Sequence, residues 1–248
     1  MFSKRSIICT ILVVLLLTSI LLNGGLFFIA KKYYAKSKLV VAFPNTTFYQ
    51  SANAALPAKQ HQRVILFGDS RIQQWKNLPE LEGFEFINRG IGGETTAQLR
   101  MRFKPDVLAL KPDVVILQLG INDLVVLGVA PNHATATIQQ CQDNLKIIVE
   151  KLTKQAVEVI LLTIIPPAKP SFARMLVWSE KIEQSVIEIN QYWLNLPKMV
   201  RLHVIDTAKI LKNAQGQWHD NVNKDILHLT PVGYQYLNQA ITATLNTL

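Results

Sequence analysis

Five short apolar runs recur along the chain, and they constrain its fold more than any other feature. The runs cover residues 64–67, 84–87, 114–119, 157–165 and 202–205. They are rich in Val, Ile, Leu and Phe and mostly continuous, which is typical of parallel strands buried on both faces. Segments with helical periodicity separate the runs. This alternation predicts an α/β fold in which helices cover both faces of a doubly wound, five-stranded parallel sheet.

Three of the intervening segments carry a clear apolar stripe at helical spacing. The stripes are Ile138, Cys141, Leu145, Ile148 and Leu152; then Ile182, Val186, Ile189, Trp193 and Leu196; and finally Leu237, Ile241 and Leu245. Thr230 and Pro231 precede the last stripe and are suited to the N-cap and the first turn of a helix. The last helix is therefore predicted to begin at about residue 231.

The N-terminal region contains an apolar run, residues 7–30, without a single charge. A helix of that length can cross a bilayer core of about 30 Å. A cleaved signal peptide is the alternative, but the run is long for one and no A-x-A-like site follows it. The sequence therefore predicts a short basic tail at 1–6, a transmembrane anchor at 7–30, a juxtamembrane spacer at 31–61 and a folded domain at 62–248.

The distribution of charge bears on the membrane side and on binding partners. The positive-inside count leans against export, because two cations precede the apolar run and four follow it. These are Lys4 and Arg5 before the run, and Lys31, Lys32, Lys36 and Lys38 after it. A lone anchor ahead of one domain nevertheless favours an extracytoplasmic, periplasmic-side domain. The net charge of +9 is scattered along the chain, which favours solvated lysines, and no nucleic-acid motif is present. No pattern indicates an oligomeric state.

Polar blocks follow the predicted strands, where ligands bind in sheets of this kind. The blocks read GDS at 68–70, NRGIGGETT at 88–96, GIND at 120–123 and DILHLTPVGY at 225–234. Ser70 is a candidate nucleophile, His228 a candidate base, and Asp225 is three residues away to orient the imidazole. Donors for an oxyanion are the backbone N–H groups of Ser70 and Gly93 and the side-chain amide of Asn122.

Each block has a structural alternative. Ser70 can be a helix N-cap, Asn122 part of a turn, and His228 a core histidine. The GIGGET stretch suggests a dinucleotide loop, but Thr95 stands where the third glycine should be. The combination of four blocks with complementary chemistry favours a catalytic site.

These blocks resemble those of the SGNH, or GDSL-type, hydrolases. The matching residues are Ser70 in FGDS, Gly93 in GIGGET, Asn122 in GIND and His228 in DILHLTPVGY, and Asp225 takes the third triad place. NRGIGGETT with LHLTPVGY is especially similar to the platelet-activating-factor acetylhydrolase catalytic subunits, and the family also includes bacterial lysophospholipases and esterases. The resemblance implies a three-layer α/β/α flavodoxin-like fold and serine ester hydrolysis without a metal or another cofactor.

Three functions remain open at this stage. The anchor favours lysophospholipids or other lipid and short acyl esters, whereas an extracytoplasmic site favours acetyl groups on cell-envelope glycans. A non-catalytic binding domain on the same fold would be expected to lack a block, and none is missing. Of the other histidines, His61, His133 and His203 match no role, and His219 is expected to be exposed near the triad loop.

Overall fold

A single parallel sheet organises the second part of the chain. The structure is a computed structural model that describes residues 3–39 and 46–248. The five strands are β1 (Gln62–Gly68), β2 (Phe84–Gly90), β3 (Val114–Gln118), β4 (Glu158–Leu162) and β5 (Leu202–Ile205). They lie in the order β2-β1-β3-β4-β5, and every described pairing is parallel. This is the flavodoxin-like order, and the predicted fold class is confirmed.

Helices connect the strands and cover the sheet. Their bounds are α1 (Lys4–Leu39), α2 (Gln50–Ala54), α3 (Ser70–Gln73), α4 (Thr96–Asp106), α5 (Ile121–Leu124), α6 (Ala134–Thr153), α7 (Phe172–Met175), α8 (Glu180–Leu194), α9 (Thr207–Leu211) and α10 (Pro231–Leu245). The predicted stripes on α6 and α10 are buried, and so is the stripe on α8 except for Leu196, which lies beyond the end of that helix. Thr230 caps α10 by accepting a hydrogen bond from the Gly233 N–H.

The three central strands supply most of the sheet's core. Residues 64–67 of β1 are completely buried, and β3 and β4 are buried almost throughout. The edge strands β2 and β5 are only half-buried along most of their length. The prediction of burial on both faces is therefore correct for the central strands, whereas the edge strands are partly exposed along most of their length.

Two glycines bring strand ends unusually close to their neighbours. A Cβ on Gly68 would lie 2.0 Å from the Gln118 carbonyl oxygen, and a Cβ on Gly90 would lie 2.2 Å from the Gln73 nitrogen. Glycine at these two positions leaves room for the neighbouring backbones, so β1, β2, β3 and α3 approach one another closely at the carboxyl edge of the sheet. Ser70, the first residue of α3, lies at this point of convergence.

The chain divides into two compact units, residues 1–40 and 41–248. The first contains α1, which is long and apolar enough to cross a membrane, a property that an N-terminal signal sequence shares. The segment predicted as a spacer, 31–61, contributes residues to both units. Helix α1 continues to Leu39, residues 40–45 lie outside the described part, and α2 belongs to the second unit.

Helix α2 is held in the second unit by polar contacts. The Tyr49 hydroxyl donates to the Gly90 carbonyl at 2.6 Å. The Asn53 amide donates to Asp106 Oδ1 at 2.9 Å and accepts from Arg89 Nε at 2.8 Å. The segment contacts the end of β2 through polar side chains. Because it has no apolar periodicity, its sequence is like that of a spacer.

Candidate active site

The Ser70 hydroxyl does not cap α3, because the neighbouring Asp69 provides the helix cap. Asp69, completely buried, is the N-cap of α3, and its Oδ1 accepts from the Arg71 N–H at 2.9 Å. Burial raises the pKa of the Asp69 carboxyl. Ser70 is already inside the helix, and its hydroxyl oxygen lies 3.0 Å from His228 Nε2. The alternative in which Ser70 is the cap is wrong.

His228 is held between Ser70 and Asp225. Its Nδ1 lies 2.8 Å from Asp225 Oδ2 and 3.0 Å from Oδ1. Asp225 Oδ1 also accepts from the N–H groups of Leu227 at 2.8 Å and His228 at 2.9 Å. Partial burial raises the pKa of Asp225, but the hydrogen bonds from Leu227 and His228 outweigh it and hold the pKa below its usual value. The result is a hydroxyl–imidazole–carboxylate chain with an ionised carboxylate.

The loop after β2 lies directly beside Ser70. The Ile91 N–H donates to the Gly68 carbonyl at 3.1 Å, and the Gly92 N–H donates to Gln73 Oε1 at 3.1 Å. A Cβ on Gly92 would be only 3.7 Å from the Cβ of Ser70. Gly93 has φ +79°, so the loop turns through a conformation that suits glycine.

Asn122 contacts the same loop from the end of β3. It lies in α5, which follows Gly120, and its amide donates to the Glu94 carbonyl at 3.0 Å. An asparagine amide has two N–H bonds, so this contact leaves one for another acceptor. The structure therefore joins the predicted Ser70, Asp225 and His228 by hydrogen bonds and brings Asn122 to the loop that contains Gly93.

A buried arginine holds this loop in place. Arg102 is completely buried, and its Nε donates to Glu94 Oε2 at 2.5 Å. Its Nη1 contacts Asp106 Oδ2 at 3.1 Å and the Arg89 carbonyl at 2.9 Å, and its Nη2 donates to the Gly68 carbonyl at 3.1 Å. Burial raises the pKa of Glu94, and Arg102 opposes that change. Sequence reasoning missed this network; its signal is an arginine four residues before an aspartate on α4.

Asp123 fixes the other side of the loop. Its carboxylate accepts from the Thr96 N–H at 2.9 Å and from the Thr96 hydroxyl at 2.6 Å. Burial raises the pKa of Asp123 to about 6, although the hydrogen bonds from Thr96 lower it. Because Asp123 follows Asn122 directly, these bonds to the start of α4 also locate the Asn122 side chain.

Arg71 links α3 to the segment that carries the histidine. It is buried, and its Nε donates to the Leu227 carbonyl at 2.8 Å, between Asp225 and His228. Burial lowers the pKa of Arg71 to about 10. The Tyr234 hydroxyl donates to the Arg71 carbonyl at 2.7 Å, and burial raises the pKa of Tyr234. Sequence reasoning missed both residues, although an arginine directly after GDS is a visible signal.

The remaining histidines lie outside this chain of contacts. His203 Nε2 contacts Glu158 Oε2 at 3.0 Å, where β4 and β5 begin. His219 is stacked on Tyr236 with ring centroids 4.7 Å apart. His61 and His133 are exposed. Among residues 3–39 and 46–248, no group of three or more His, Cys, Asp and Glu side chains is placed to hold a metal ion.

A cavity of about 440 Å³ flanks the triad segment. Its lining includes Gln74 at the end of α3, Lys224 and Leu229 on either side of the Asp225–His228 stretch, and Tyr234. This lining mixes apolar and cationic groups, and Ser70, Asn122 and His228 are not part of it.

The chain belongs to the GDSL-like lipase/acylhydrolase family, whose sequence profile matches residues 60–236, well over half of the chain. This match confirms the resemblance inferred from the four sequence blocks.

Three known proteins illustrate the similarity. The uncharacterized lipoprotein YqeF of Bacillus subtilis is 31% identical over 129 residues, 46% of this chain and 52% of that protein. An acetylxylan esterase of Geobacillus stearothermophilus is 48% identical over 46 residues, 18% of this chain and 20% of the esterase. The chain thus matches about half the length of the first curated relative and a fifth of the second. A Bacteroides fragilis structure assigned as an acylhydrolase has a TM-score of 0.65 at 25% identity, covering 82% of this chain and 96% of that one.

Proposed function

We propose that the protein is a serine ester hydrolase with Ser70 as the nucleophile. The observation that carries the proposal is the continuous contact from Ser70 Oγ through His228 to Asp225, with distances of 3.0 and 2.8 Å. Ser70 Oγ bonds to the ester carbonyl carbon while its proton passes to His228 Nε2. The imidazolium then gives that proton to the departing alkoxide, so the C–O bond breaks and an acyl-enzyme remains. Water, deprotonated by His228, releases the acid by the same route.

The surrounding groups have distinct roles in this mechanism. Asp225 keeps Nδ1 protonated and stabilises the imidazolium, since its own pKa is held low. The N–H groups of Ser70 and Gly93 and the free N–H of the Asn122 amide stabilise the oxyanion. Such donors act on charge that develops only during the reaction, and they therefore raise kcat more than they improve substrate binding.

The proposed substrates are lysophospholipids or other lipid and short acyl esters. Helix α1, which is able to cross a membrane, supports this choice, because a tethered enzyme meets lipid esters at high local concentration. We take the helix as a single-pass anchor and place the catalytic domain, residues 62–248 with α2 docked on it, on the extracytoplasmic side. The similarity to a lipoprotein supports an envelope location.

Acetyl esters on envelope glycans are the second candidate. The short but 48% identical match to an acetylxylan esterase favours them.

Labelling with a fluorophosphonate tests the nucleophile. The wild-type protein and a Ser51→Ala control, altered at an exposed serine of α2, should be labelled, whereas Ser70→Ala should be neither labelled nor active. Full labelling of Ser70→Ala would overturn the assignment, and absence of labelling in the wild type would indicate a binding domain. Rates on a lysophospholipid and on an acetylated xylo-oligosaccharide then decide between the two substrate classes.

A further inference from the structure

Residues 166–178, here called the rim segment, connect β4 to α8 along the carboxyl edge of the sheet. Near its start, the Ala168 N–H donates to the Ile226 carbonyl at 2.8 Å. Near its end, the Val177 carbonyl oxygen lies so close to Gly128 that a Cβ there would be 2.1 Å away. Ile226 lies between Asp225 and His228, and Gly128 ends the turn that follows α5. The rim segment therefore borders the site between the His228 and Asn122 segments.

The rim segment exposes large apolar side chains to solvent. Phe172 is 88% exposed, Leu176 61% and Met175 54%. Three such residues within five positions form a cluster of a kind that soluble surfaces rarely present without a partner. Val200 is 83% exposed, but it lies just before β5, at the amino-terminal end of that strand.

Within the rim segment the charges are of one sign, while Glu183 of α8 contacts Trp178 at its end. Lys169 and Arg174 are both exposed, and residues 166–178 contain no Asp or Glu. A surface that complements this pattern has an apolar interior beneath anionic groups. Lipid bilayers with anionic headgroups have that structure, and basic–apolar segments bind them by inserting the apolar side chains below the headgroups.

We propose that the rim segment docks onto a lipid surface that contains anionic headgroups. Phe172, Met175 and Leu176 enter the acyl boundary, and Lys169 and Arg174 pair with phosphates. The same chain carries a helix that can cross a membrane, so a bilayer is the surface the chain would meet first. The inference rests on the proposed hydrolysis of lipid esters, and docking at the rim would present ester groups directly to Ser70.

Fluorescence of the full chain in lipid vesicles measures docking without reference to catalysis. In a Cys9→Ser background, an environment-sensitive fluorophore is attached to Leu176→Cys or, as control, to Val200→Cys; the remaining Cys141 is buried. Brominated lipids should quench the probe at 176 and leave the probe at 200 unaffected. Phosphatidylglycerol should increase the quenching, and Lys169→Gln with Arg174→Gln should remove that increase. Equal exposure of both probes to water would overturn the proposal.

Rates on two esters test the consequence for activity. Phe172→Asp should lower the ratio of the rate on a vesicle-embedded ester to that on a soluble acetate ester by about tenfold or more, and Val200→Asp should leave the ratio unchanged. A similar loss on a monomeric, water-soluble long-chain ester would overturn docking in favour of an acyl-binding groove. If the wild type hydrolyses neither ester, the proposed function fails, and the fluorescence comparison alone decides the docking.

Discussion

The Asn122 amide uses one N–H for the Glu94 carbonyl, and the proposed mechanism assigns the other to the oxyanion. The satisfied bond to the Glu94 carbonyl, at 3.0 Å, orients the amide before any substrate binds. Asn122→Ala should therefore lower kcat by about a hundredfold or more with a smaller change in KM. Steady-state kinetics on a soluble acetate ester measure both constants.

Asn122→Asp separates the charge of this side chain from its shape. It should be at least as damaging as Asn122→Ala, because a carboxylate would repel the developing oxyanion. Asn246→Ala, at an exposed position after α10, is the matched control and should match the wild type. A change in KM alone for Asn122→Ala would show that this residue binds substrate and does not stabilise the transition state.

Asp123 makes the stability of the second unit depend on pH. Its pKa rises from the ordinary 3.8 to about 6 because of burial. A raised carboxyl pKa contributes stability below the unfolded-state value, and this contribution is lost as the pH rises through the folded-state value. The loss amounts to about 3 kcal/mol at most. The difference in free energy of unfolding between the wild type and Asp123→Asn should therefore shift in favour of Asp123→Asn between about pH 4 and about pH 7.

Urea unfolding followed by tryptophan fluorescence measures this effect. All four tryptophans, at positions 75, 178, 193 and 218, lie in the second unit, so the signal reports that unit alone. An advantage over Asp123→Asn that stays constant or grows with pH would show that the hydrogen bonds from Thr96 outweigh burial.

Some residue roles follow from the sequence and others do not. The triad and Asn122 were predicted because each has a chemistry that few other residues provide. Asp69 was not recognised as the cap, since Asp and Ser are both good N-cap residues and only the backbone decides between them. Arg102 was missed because exposed arginines are the rule, and the Gly68 carbonyl that its Nη2 contacts lies 34 positions earlier in the sequence.

At the scale of elements, the runs of apolar residues predicted the strands, but not which strands lie at the edges of the sheet. The run in β1 (VILF) is continuous whereas that in β2 (FEFI) contains Glu85, and β1 pairs on both sides whereas β2 pairs on one. Helix α2 was missed for a different reason: it has no apolar stripe, and Tyr49 and Asn53 hold it by hydrogen bonds.

The docking of α2 should affect stability and, through Gly90, the neighbouring loop. Burial raises the pKa of Tyr49, so its hydroxyl stays protonated and donates to the Gly90 carbonyl. Tyr49→Phe removes this bond and should reduce the free energy of unfolding by about 1 kcal/mol. Tyr192→Phe, on the outer face of α8, is the control and should change little. Equal stability of Tyr49→Phe and wild type would show that the contact contributes nothing.

At the scale of the whole molecule, the two units should be separable. A chain beginning at Thr46 keeps Tyr49, α2 and every strand, and it lacks the apolar helix. It should be soluble and should hydrolyse a soluble acetate ester at the rate of the full chain, because every described core residue of the second unit is kept. A start at Ser51 would delete the Tyr49 bond.

A chain beginning at Leu56 provides the matched comparison, since it removes Tyr49 and Asn53 as well. Its second unit should unfold at lower urea concentration than that of the chain from Thr46. On an ester embedded in vesicles, both shortened chains should be slower than the full chain, because the tether that raises local concentration is gone. Aggregation or inactivity of the chain from Thr46 on soluble esters would show that the first 45 residues support the fold. Equal rates of the full chain and the chain from Thr46 on vesicle esters would remove the main support for lipid substrates and favour the acetylated glycans.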